Sequence, residues 1–197
     1  MTVAPWSDRH GVAARDASAL AEVTRFAATL DRVSWFAGVG QDLTDGEARE
    51  AADYLAALGF ADARVSLVRG WRDAEAVTRD PNWDNAWWTA EERLRTDLLA
   101  RAERRWGDPT LMAALTRVTD AATRVTLGAA STAASRDGIA DPALARVAAG
   151  AATQAAYQAA LALAMDAGEA HPFAIKFRLF AAGRWLLGSV GGRFFVF

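Results

Sequence analysis

Most of the chain carries apolar residues at helical spacing. From Ser18, the positions Leu20, Val23, Ala27, Leu30 and Val33, joined by Phe26 and Ala37, share one face until the glycines of "GVGQ". This predicts one helix over that stretch. Thr44 and Glu47 stand at the Thr-x-x-Glu spacing in which hydroxyl and carboxylate satisfy the free N–H groups of a first turn. Tyr54, Leu55 and Leu58 then face one way before Gly59 ends a second, short helix. The β-rich piece from Val65 to Arg69 reads as extended, with a short helix from Arg72 to Arg79 that "DPN" terminates.

Asp84 is placed to cap a long helix through Trp106, and "GDP" closes it, with Asp108 as cap and Pro109 as first residue of the next helix. That next helix, to about Ser135, keeps Leu111, Leu115, Val118, Ala122, Val125 and Ala129 on one face and Arg117, Asp120 and Arg124 opposite. "RDGIADP" turns the chain, and Pro142 starts a mostly alanine helix to about Asp166, in which Leu144, Val147, Leu161 and Met165 keep phase. Small side chains let two helices approach closely, so these two are expected to form a central antiparallel αα-hairpin.

The ending, "AHPFAIKFRLFAAGRWLLGSVGGRFFVF", is the most apolar part. His171 and Pro172 suit a helix start, Phe173, Phe177 and Phe180 repeat at helical spacing, and Gly183 suits a left-handed helix end. The alternation of Ile175, Phe177 and Leu179 with Lys176 and Arg178 also fits a strand, and helix is the expected state. Beyond it come two short strands around a glycine-rich turn. A lone hairpin is marginal in water, so this one is expected to lie on the helices, pairing with Val65 to Arg69 as a structural clasp. The alternative is an interface for a partner or a second copy, offered by Trp185, Phe194, Phe195 and Phe197. The expected fold is thus mainly α: a multi-helix bundle around a central alanine-rich αα-hairpin with a small C-terminal β-hairpin. It is expected to be a single domain over 1–197, with an N-terminal arm at 1–16 and the clasp at 184–197.

Composition narrows the function. The 197 residues carry a net charge of −2 with a pI near 5.7, so no basic face advertises nucleic acid. The absence of cysteine removes disulfides, thiolate zinc sites and a cysteine nucleophile. The start lacks the build of a secretory signal, and Lys176, Arg178 and Arg184 interrupt the apolar tail before a membrane span accumulates. The expected location is the cytoplasm, with no membrane partner. Lys176 is the sole lysine among 22 basic residues, which reads as codon preference for arginine.

On a helical wheel the stretch from Asp84 to Trp106 puts Glu91 and Arg95 amid Trp87, Trp88, Leu94 and Leu98, at a spacing where they can pair. The alanine-rich helix places Gln154 and Gln158 inside its own apolar arc. Buried polar groups need partners, so the four either satisfy one another or face a ligand. In the ligand reading Glu91 takes a cation or hydroxyl and Arg95 an anionic group, while the glutamines, Trp87 and Trp88 orient and stack. No metal site is expected: the residues three before His10 and His171 are Ser7 and Gly168, which excludes Glu-x-x-His pairs, and zinc has too few ligands. No dinucleotide, Walker or serine-elbow motif occurs, and no cofactor is implied. His171 reads as a helix cap rather than an acid or base, and "DLTDGE" as a cap rather than a calcium loop.

Two functions follow. The first is a non-catalytic interaction or regulatory module that meets a protein partner or forms a homodimer. The alternative is a small-molecule binding protein or enzyme whose polar site is Glu91, Arg95, Gln154 and Gln158 in an apolar interhelical pocket.

Overall fold

A computed structural model describes the chain from residue 19 to residue 197; the expected arm at 1–16 lies outside the described residues. The fold is mainly α, with seven helices and a four-stranded sheet among the described residues. Helix α1, seen over residues 19–27, is shorter than its periodicity predicts. The Thr29 hydroxyl bonds the carbonyl of Phe26, a 3-10 turn follows at Leu30–Arg32, and Phe36 takes a left-handed φ of 59°. The chain turns there because Trp35 and Phe36 both enter the core, and the Trp35 indole N–H returns to the Leu30 carbonyl at 3.0 Å. A straight helix would keep the two on different sides.

Helix α2 (Asp45–Ala57) begins with the expected reciprocal cap of Thr44 and Glu47 and buries Ala51, Tyr54 and Leu55. Strand β1 (Arg64–Leu67) and helix α3 (Trp71–Thr78) follow. A two-residue strand β2 (Trp83–Asp84), too short to leave a pattern, leads into α4 (Asn85–Trp106), which Asp84 caps through Ala86 N–H at 2.8 Å. Helix α5 (Asp108–Arg136) starts one residue earlier than the sequence suggests. Gly107, with φ of 73°, holds the cap position, and no side chain caps it. Helix α6 (Pro142–Ala164) is capped by Asp141.

Helices α5 and α6 form the central antiparallel hairpin. Trp106, just before α5, donates to the carbonyl of Ala164 at the end of α6, and Thr126 and Thr153 join midway by a 3.1 Å hydroxyl contact. Alanines fill the seam, among them Ala122 and Ala130 on α5 and Ala148, Ala152 and Ala155 on α6, all fully buried. The segment that fits either helix or strand is helix α7 (Pro172–Ala181), with the His171 ring accepting from Phe173 N–H. Helical phase wins because it buries Phe173, Ile175, Leu179 and Phe180 against α2 and α6, whereas a strand would have to find a sheet.

Strands β3 (Leu186–Val190) and β4 (Arg193–Val196) make the hairpin, turned by Gly191 and Gly192 at φ of 57° and 75°, values only glycine adopts easily. The sheet order is β1-β4-β3-β2; the extended segment lies beside the hairpin as expected, and β1 runs parallel to β4. At Gly188 the register slips and the Trp83 ring lies so close that a Cβ would meet it at 2.6 Å.

Arg184, buried at the junction of α7 and β3, locks this end of the molecule. Its guanidinium bonds both Glu47 carboxylate oxygens and the carbonyls of Gly38, Gln41 and Asp42. Arg184, with Thr44, holds the Glu47 carboxyl at about 2 against an ordinary 4.5. A depressed carboxyl stabilises the fold fully above its unfolded value, and the contribution disappears as pH falls from about 4.5 towards 2. In urea unfolding at pH 7, Glu47→Gln should therefore lose about 2–3 kcal/mol. The gap to wild type should close as pH approaches 2; a gap independent of pH contradicts the assignment.

Candidate functional site

Four helices meet at one carboxylate. Glu91, on the buried side of α4, is 1% exposed. Its Oε1 accepts from Lys176 Nζ of α7 at 2.6 Å and from Gln158 Nε2 of α6 at 2.8 Å. Its Oε2 accepts from the Tyr54 hydroxyl of α2, which in turn accepts from the Trp87 indole at 3.1 Å. Burial pushes the Glu91 carboxyl up, but the Lys176 charge and the three donors outweigh it and hold it below the ordinary carboxylate range. Burial and the adjacent Glu91 charge push Tyr54 well above the ordinary phenol value, so it remains a donor.

Helical phase places Glu91 and Gln158 inside, where the structure brings them together. Arg95 goes elsewhere: it pairs with Glu92 one turn back, at 2.8 Å through Nε, and does not reach Glu91. One helical turn rotates it about 40° from Glu91, far enough to bring its guanidinium to the half-exposed rim. The expected Glu91–Arg95 pair is replaced by Glu91–Lys176. The amine was hidden by its composition, as a solitary lysine in an arginine-rich chain. The signal was its phase: Phe173, Lys176 and Phe180 fall at i, i+3 and i+7 on one face of α7. Tyr54 carried a similar signal as a phenol on the apolar face of α2.

A cavity of about 320 Å³ opens in front of this network. Glu91 and Lys176 form its floor; Trp83, Trp87, Phe180 and Trp185 wall it, with Leu186 and Leu187 of β3. Trp88 and Val147 also line it yet are 47% and 54% exposed, which marks them as the mouth. Gln154, half-buried, completes the α6 side with Ala151. Of the six expected ligand residues, Trp87, Trp88, Glu91 and Gln154 line one cavity, Gln158 sits behind it on Glu91, and Arg95 is outside.

Lys176 is 5% exposed, and Glu91 is its only hydrogen-bond acceptor among the described residues. Two of its three N–H donors thus have no protein acceptor there. The Trp87 ring lies 6.0 Å from the ammonium, at the edge of cation–π range. Two larger clefts exist, one beside Thr123, Thr126, Thr153 and Tyr157 and one beside Phe26 and Phe177, but neither has a buried charged side chain in its wall. The expected interface rings Trp185, Phe194 and Phe197 are buried within the chain's own core, and Phe195 is half-buried. His171 caps α7, and burial lowers its pKa. No described helix is long and apolar enough to cross a membrane.

Set against known proteins, the chain matches no family model, no curated protein and no solved structure, which leaves the chemistry of the site as its own guide.

Removing one partner of a buried ion pair leaves the other charge uncompensated. Lys176→Met should cost about 3–5 kcal/mol in urea unfolding at pH 7, and the double variant Glu91→Leu/Lys176→Met should cost less than the sum of its single changes. Without the lysine charge the folded-state pKa of Glu91 rises relative to wild type. The deficit of Lys176→Met should accordingly shrink as pH falls through the carboxylate range. Strict additivity in the cycle contradicts the coupling.

Proposed function

We propose that the chain binds a small uncharged molecule, an apolar or aromatic body bearing one carbonyl oxygen, in the cavity above Lys176. The observation that carries this reading is the buried ammonium with donors to spare at the floor of a tryptophan-walled hole. A ligand carbonyl would supply the missing acceptor, and the rings would take the apolar body. Glu91 and Lys176 together carry no net charge, so a neutral guest avoids burying an unpaired ion, which a carboxylate or amine guest would do. The volume lies at the small end of ligand pockets, which run from about 300 to 1,000 Å³, and suits a molecule with one ring. The interaction-module reading loses its best surface, because Trp185, Phe194 and Phe197 are occupied within the chain.

Tryptophan fluorescence tests the proposal, since four of the chain's 8 indoles border the cavity. Titration with 3-phenylpropionamide should give a saturable change, and 3-phenylpropylamine should give none. Lys176→Met should weaken the amide about 10- to 100-fold, the range for losing a charged hydrogen bond. Trp88→Ala at the mouth should weaken it without altering stability by more than about 0.5 kcal/mol. An equal response in Lys176→Met, or no saturation with the amide, contradicts the reading.

A further inference from the structure

We propose that Lys176 is a covalent attachment point for carbonyl compounds: its ε-amine forms an iminium with an aldehyde or ketone held in the cavity, and Glu91 carries the protons. The inference rests on reading the cavity as a ligand site and adds a bond to it.

A nucleophilic amine needs a base within hydrogen-bond reach, and the base needs its own orienting groups. Glu91 stands 2.6 Å from the Lys176 nitrogen and is fixed by Tyr54 on one oxygen and Gln158 on the other. The step balances without a further reagent. Glu91 accepts a proton from the ammonium, and the freed amine forms a C–N bond at the carbonyl carbon. The carbonyl π pair moves to oxygen, which takes a proton from the newly bonded nitrogen to give a neutral carbinolamine whose nitrogen regains its lone pair. Glu91 then delivers a proton to that hydroxyl, the C–O bond breaks, water leaves, and the nitrogen lone pair forms the C=N bond of the iminium.

Ammonium and iminium carry the same single positive charge, so the ion pair that holds the reactant also holds the product. Pairing with Glu91 therefore does not oppose the overall conversion. The apolar walls favour the dehydrated product and limit the return of water. The exposed mouth at Trp88 and the buried floor at Lys176 set the direction of entry, apolar body outermost and carbonyl inward.

The single lysine makes the test clean, because only Lys176 and the α-amino group can be alkylated. The full chain is incubated with 3-phenylpropanal and sodium cyanoborohydride, which reduces an iminium to a stable secondary amine, and peptides are mapped by mass spectrometry. The expected result is one phenylpropyl group on Lys176, added about tenfold or more faster than on the α-amino group. Ordinary lysine would react more slowly than an α-amine near neutral pH, since its pKa is about 10.4 against about 8. Glu91→Gln should slow trapping about 100-fold. If that variant does not fold, competition by 3-phenylpropan-1-ol, which lacks the carbonyl, keeps the proposal testable on the wild type: the alcohol should slow labelling of Lys176 and leave the α-amine unaffected, and no protection overturns reaction within the cavity. Labelling of the α-amine alone, or of Lys176 no faster than in the urea-unfolded chain, overturns the proposal. Failure to trap phenylpropanal while 3-phenylpropionamide still saturates the fluorescence removes the covalent step and leaves the ligand site standing; failure of both removes both.

Discussion

A carboxylate with almost no access to water fixes how four helices meet. Isolated, such an ion would cost several kcal/mol to bury, and it is tolerated because donors from α2, α6 and α7 converge on its two oxygens. Each donor comes from a different element, so a slip of any one helix by a residue would leave Glu91 short of a partner. Its value lies in that selectivity: well-packed apolar residues of similar volume could match its net stabilisation. The Gln158 carbonyl oxygen is left without a partner, so the arrangement accepts a local penalty for placing the amide N–H on Glu91.

The rest of the fold serves this junction. Alanines on α6 let α5 come close on one side, while Ala151 and Val147 on the same helix leave space in front of Lys176 on the other. Strand β3 closes that space with Leu186 and Leu187, helped by Trp185 just before it, and Gly188 lets Trp83 press against it. The apolar ending is thus a clasp that also makes a wall. Phe197, Trp71 and Trp185 pack ring against ring beneath it, with Trp71 and Phe197 at 5.3 Å, and Arg184 ties the near edge to the Glu47 cap.

Local chemistry was the best guide to this architecture. Caps at Thr44, Asp84 and His171 each appear as their residue types imply, because a helix start is decided within four residues; the cap expected at Asp108 does not, since Gly107 takes that position. The turn after α1 was not legible: Trp35 and Phe36 leave the helix to reach a core assembled from distant segments. Phase alone put Glu91 and Gln158 inside. It is not enough for Arg95, which lies about 40° round the helix from Glu91 and pairs with Glu92 at the rim. Lys176 is hidden for a different reason, since a solitary lysine in an arginine-rich chain reads as codon preference until its acid, 85 residues away, is known.

One lysine in the chain permits one decisive spectrum. In protein labelled with 15N at the lysine side chain, Lys176 should give a single ammonium resonance whose protons exchange slowly with water and show contacts to the Trp87 ring. That resonance should move when Glu91 is replaced by glutamine or when 3-phenylpropionamide fills the cavity. A lysine signal in fast exchange, at the position of an exposed side chain and indifferent to both changes, would contradict a buried Glu91–Lys176 pair at the floor of the cavity.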